Sequence, residues 1–166
     1  MKAGESRAIP IDVSTSSAAV ANQFLCLARR DGRSLTNMQL QKLVYIAHGF
    51  CLGLLDEPLI GGQPEAWQYG PVFPTLYRTL RHYGSGEVTD LLSTKEQVTD
   101  PRQIEVIQGV WQGYGHLSGP QLSSLTHKVG SPWETCRDGT FGAVIPDAVI
   151  KQHYKNLLAG TDNGVR

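Results

Sequence analysis

"LTNMQLQKLVYIAHGFCLGLL", residues 35–55, decides the fold. It opens with the start signals of a helix. Thr36 stands at the N-cap position with Gln39 three residues on, the spacing of a capping box, in which each side chain satisfies an orphan amide near the other. Leu35 and Leu40 flank them at the positions of a hydrophobic staple. The spacing predicts a helix from 37 to about 53. At about 100° per residue, Leu40, Leu43, Val44, Ala47, Phe50, Cys51 and Leu54 share one broad apolar side. Gln41, Lys42, Tyr45 and His48 fall on the other, polar side. Lys42 is its one formal charge, which places this helix at the centre of a fold. Its apolar run, 43–55, is shorter than the roughly 20 residues that a bilayer span needs.

Working outward from that helix, the chain reads as more of the same. Ser16 or Ser17 can cap a helix from about 18 to 30, with Val20, Phe24 and Leu27 on one face, stopped by "DGR" at 31–33. Downstream, "GGQPEAWQYGP" holds too many breakers for a helix, and a short strand is expected near 65–68. Pro74 suits a first helical turn, and Phe73, Leu76, Tyr77 and Leu80 form the stripe that follows, with Thr75, Arg78 and His82 pointing away. Residues 85–99 read as a loop. Asp100 and Pro101 open another helix with Ile104, Ile107, Trp111 and Tyr114 on its apolar face. Ser118 with Gln121, and Ser131 with Pro132 and Glu134, repeat the capping logic. A last helix is expected over 147–158, carrying Ile150, Tyr154 and Leu157. The sum is a mainly α, compact single domain of six or seven helices over 16–160, with at most a short β element near 65–68. Residues 1–15 read as a flexible lead-in and 161–166 as a tail.

The totals exclude several kinds of chemistry. Fifteen basic residues balance fifteen acidic ones, so a global electrostatic footprint for nucleic acid is missing. Only 18% of residues are charged, which hints at surface covered by a partner. Cys26, Cys51 and Cys136 are far apart and form no CxxC, which fits a reducing cytoplasm better than a disulfide framework or a zinc knuckle. The first residues lack the apolar run of a signal peptide. No phosphate-binding glycine loop, zincin helix or nucleophile elbow occurs. Cys51 faces the apolar side of its helix and reads as a buried thiol. In "LTHKVGSPWE", His127 sits near a hydroxyl and an acid, but a helix end, a Gly130 stop and a fresh cap at Ser131 explain the same residues. No cofactor or metal is therefore expected.

Three blocks stand in order: "LTNMQLQKLVYIAHGFCLG", "PLIGGQPEAWQYGPVFPTLYRTL" and "LSSLTHKVGSPW". Together they resemble the Panacea domain, the DUF4065 or phage-associated GepA-like family, over about 18–158. The resemblance implies a compact helical domain of bacteria and their mobile elements, with many members acting as antitoxins beside small toxins. It also implies neutralisation by protein contact rather than catalysis. By match, its motif residues here are Gln41, Lys42, Tyr45, Glu65, Ala66, Trp67, Tyr69, Gly70, Pro71, Val72, His127 and Trp133. Some members carry an added DNA-binding region, and this chain has no second block long enough for one.

The leading reading is an antitoxin that binds a cognate toxin. The rivals are a proteolytic adaptor, which would hand a toxin or other client to a protease, and an enzyme using His127, Glu65 or His48. The density of rings in "PEAWQYGPVFPTLYRTL", 64–80, suits either a core corner or a partner surface. Trp67 is expected mostly in the core and Tyr69 mostly at the surface. Lys42, Tyr45, Tyr69 and Arg78 are the expected partner-binding residues, with little part in folding. Lys42 needs a carboxylate or carbonyl partner, and Glu65 is the nearest candidate by type.

Overall fold

The structure is a computed structural model, and it describes residues 14–160. Among these are seven α-helices, most of them packed about the second. They are α1 (Ser17–Arg30), α2 (Asn37–Leu55), α3 (Pro74–Leu80), α4 (Pro101–Tyr114), α5 (Gly119–Thr126), α6 (Pro132–Cys136) and α7 (Asp147–Gly160). A 3-10 turn, Arg81–Tyr83, extends α3. Three short strands complete the list: β1 (Glu65–Trp67), β2 (Gly70–Val72) and β3 (Ala143–Val144).

The helix starts lie where the capping signals put them. Thr36 and Gln39 close a reciprocal capping box on α2, and Ser118 and Gln121 close another on α5. Ser16 caps α1, Asp100 caps α4 and Ser131 caps α6, each accepting from a backbone amide of the first turn. Leu35 and Leu40, the expected staple, are fully buried. The lead-in expected over 1–15 is described only at Ser14 and Thr15, and there it is not free. Thr15 bridges in parallel to Ile60, its amide donating to Leu59 O at 2.8 Å and its carbonyl accepting from Gly61 N at 3.1 Å. The expected tail, 161–166, lies outside the described residues.

α2 is the axis of the molecule, and α1, α4, α5 and α7 all pack on it. The polar side of α2 does not face solvent, because residues 40–49 are buried all round. A period of 3.6 separates two sides of a helix but cannot say that both will be covered. The apolar side meets the other helices, while the polar side meets irregular backbone, described below. α7 can lie close because α2 offers Gly49 and Gly53 one turn apart, and the Tyr154 ring occupies the space above Gly49.

The sheet is antiparallel in the order β2-β1-β3. Glu65, Ala66 and Trp67 pair with Val72, Pro71 and Gly70, which leaves Gln68 and Tyr69 as a two-residue hairpin turn. β3 adds Val144 and Ala143 opposite Glu65 and Ala66. The short β element expected near 65–68 is thus the first arm of a hairpin. The third strand, which comes from beyond α6, has no period of its own in the sequence. Residues 85–99 lack helix and strand, as expected, and are tied down by Asn22, whose side chain both donates to Leu92 O and accepts from Leu92 N.

Candidate functional site: an aromatic groove over the hairpin

The hairpin is held by its main chain. Lys42 Nζ donates to Pro71 O at 2.9 Å, and Gln41 Oε1 accepts from Phe73 N at 3.1 Å. About two turns further along α2, His48 Nδ1 accepts from Ile60 N at 3.2 Å, which puts the ring proton on Nε2, facing Asp147 Oδ1 at 2.9 Å. From α5, Ser123 Oγ donates to Tyr69 O at 2.6 Å. That uses its only proton, so His127 Nδ1–H is the donor in the 3.2 Å contact back to Ser123 Oγ. From α6, Trp133 Nε1 donates to Trp67 O at 2.6 Å. Backbone that deviates from helix and sheet must find partners elsewhere when buried. Here the first and third sequence blocks supply them, from three helices, to the second.

Lys42 therefore takes the carbonyl option, not the carboxylate. Glu65 is occupied otherwise: its Oε1 accepts from Trp67 Nε1 at 2.9 Å. Lys42 is only 2% exposed, and burial lowers its pKa to about 7. Gly70 permits this approach. Its φ is +114°, and a Cβ there would stand 3.1 Å from Lys42 Cε and 3.2 Å from Thr126 Oγ1.

Above the hairpin lies a groove of about 840 Å³. Its walls are aromatic. The Trp67 ring lies 5.0 Å from Tyr77 and 4.9 Å from Phe141 between centroids, and Tyr69 closes the same wall. Met38 and Pro120 line it from the first turns of α2 and α5, and Lys42 and Arg81 bring the charge. Trp67 is half-buried in this wall rather than mostly in the core. Tyr69 is 59% exposed and Arg78 is exposed.

The four expected contact residues do not share one outward face. Tyr69 and Lys42 meet at the groove. Arg78 is outside it, on the solvent side of α3, its guanidinium 3.4 Å from Thr75 Oγ1. Tyr45 is 1% exposed and belongs to the core, where its ring meets Tyr154 edge-on. Its hydroxyl has no hydrogen-bond partner among the described residues, and burial raises its pKa. The expectation that Lys42 and Tyr45 contribute little to folding is corrected by this burial. Sequence reasoning missed Tyr77, Arg81 and Phe141 as groove residues. Tyr77 was assigned to an apolar stripe, and Phe141 stands in a glycine-flanked loop with no periodic signal.

Among the described residues, no cluster of His, Cys, Asp and Glu is gathered to hold a metal ion, and no helix is long and apolar enough to cross a membrane. Cys51 is buried, and burial pushes its thiol up to about 12 with the Asp100 and Glu57 carboxylates adding to the shift. A thiol so shifted carries little thiolate at neutral pH.

Fold and groove define a small helical domain built around an open aromatic surface. The model of the antitoxin SocA-like, Panacea domain family matches residues 40–134. Antitoxin SocA of Caulobacter vibrioides (strain NA1000 / CB15N) is 32% identical over 152 residues, covering 82% of this chain and 81% of that protein. The chain belongs to the antitoxin SocA-like, Panacea domain family, and its kinship supports an antitoxin role. No solved structure gives a significant match.

Proposed function

We propose that this protein is a cytoplasmic antitoxin that silences a cognate toxin by direct contact, without catalysis of its own. The observation that carries the reading is the groove. In a chain of this family, two separated motif blocks converge to hold the hairpin of a third, and the hairpin presents Trp67 and the largely exposed Tyr69 around an open apolar surface. Large exposed apolar patches mark places where proteins meet, and aromatic and arginine side chains dominate such contacts. Tyr69 and Lys42 contribute from the groove and Arg78 from the adjoining face of α3. Tyr45 acts only through the packing beneath.

The test is co-expression. The product of the neighbouring reading frame should arrest growth alone, and this chain should restore growth and co-purify with that product. Tyr69→Ala should weaken the complex by about 2 kcal/mol, roughly thirtyfold, while the melting temperature stays. A rescue that survives every groove substitution would place the contact elsewhere. If rescue instead requires a cellular protease and the toxin disappears with it, the protein delivers its partner for degradation.

A further inference from the structure

We propose that the groove receives an acidic side chain: an aspartate or glutamate, flanked by apolar residues, in an extended segment of the toxin. This rests on the reading of the groove as the toxin-binding surface. Two basic side chains line the groove, Lys42 and Arg81, and no carboxylate lies in the wall. Neither meets a counter-charge in the wall. The Lys42 ammonium carries three donors, and among the described residues it has one acceptor, Pro71 O. The Arg81 guanidinium has no hydrogen bond or ion pair among the described residues. Burial without a counter-charge disfavours the charged form of Lys42, and an incoming carboxylate supplies both the charge that favours it and the missing acceptors.

The first turns of α2 and α5 also border the groove. Their capping boxes satisfy the N-cap and N3 amides, and the helix ends add positive potential. The apolar part of the wall includes Trp67, Tyr77, Phe141, Met38 and Val72, which favours apolar neighbours on either side of the acid. A wholly apolar segment would bury the Lys42 donors unmet. A basic one would meet like charge.

The experiment begins with a library of displayed linear peptides panned against the full chain. Enriched peptides are resynthesised with acetyl and amide ends, each beside a counterpart carrying Asn for Asp or Gln for Glu. Binding is read by fluorescence anisotropy. The enriched set should share one acidic residue between apolar ones, and the amide counterpart should bind at least about tenfold more weakly. Arg81→Gln, an exposed site, should shrink that difference to about threefold or less without lowering the melting temperature. Lys42→Met should do the same in the folded fraction, checked by circular dichroism. The proposal is overturned by no enrichment, by peptides without an acid, by a requirement for a free C-terminus, by equal discrimination in Arg81→Gln, or by displacement with oligo-dT. A pull-down of the co-expressed toxin separates the two failures. If the wild type holds the toxin and Arg81→Gln holds it equally, the groove chemistry is wrong and neutralisation by contact stands. If the wild type holds no toxin, the contact reading itself fails.

Discussion

Two buried residues of α2 carry opposite expectations. Lys42 titrates at about 7 in the folded chain and near about 10.4 when unfolded. Between those values the unfolded chain holds the extra proton, so stability rises with pH, by up to about 1.4 kcal/mol per unit. Below pH 7 both states are charged and the burial penalty is present in full. The urea midpoint of the wild type, measured against Lys42→Met, should therefore climb between pH 7 and pH 9. A constant difference would mean that Lys42 keeps its ordinary pKa. Tyr45 tests the reverse case. Its ring fills core volume, so Tyr45→Ala should cost several kcal/mol, on the order of 3–5 for a large aromatic. Its hydroxyl satisfies nothing among the described residues. Tyr45→Phe should thus leave stability unchanged or raise it by up to about 1 kcal/mol, because only an unmet polar group is removed. A clear loss in the phenylalanine variant would reveal a partner for that oxygen.

At the scale of elements, two glycines in helices separate propensity from packing. Gly109 in α4 has open space where a Cβ would go. Gly109→Ala should stabilise by up to about 1 kcal/mol through helix propensity alone. Gly49 in α2 gains the same propensity, but its new methyl would collide with the buried Tyr154 ring of α7. Gly49→Ala should be destabilised by about 1–3 kcal/mol, the usual cost of overpacking. Thermal melts of the two variants should move in opposite directions. Helix starts were legible in the sequence because caps are local: Thr36 finds Gln39 within one turn whatever surrounds them. The first hairpin arm was legible from its breakers. β3 was not, since two residues, Ala143 and Val144, become a strand only by meeting Glu65 and Ala66. The role of Gln41, Lys42 and His48 was hidden for the same reason. Polar side chains on a helix look alike in sequence whether they face water or a buried carbonyl. Of the expected contact residues, Tyr69 was legible as exposed because a ring at a hairpin turn has nowhere to pack.

For the whole molecule, what matters is which part of the hairpin its helices grip. Lys42, Gln41, Ser123 and Trp133 hold Pro71 O, Phe73 N, Tyr69 O and Trp67 O, every one a main-chain atom. Such a grip is indifferent to the side chains that the gripped residues carry. A library randomised at Gln68, Tyr69 and Phe141 should therefore yield mostly soluble, cooperatively melting members, whereas one randomised at Gln41, Lys42 and Ser123 should yield few; comparable yields from both would refute the distinction. A frame of this kind separates heredity of shape from heredity of taste. The outward residues can drift to suit a new adversary while the helices beneath stay as they are, much as an antibody changes its loops and keeps its sandwich.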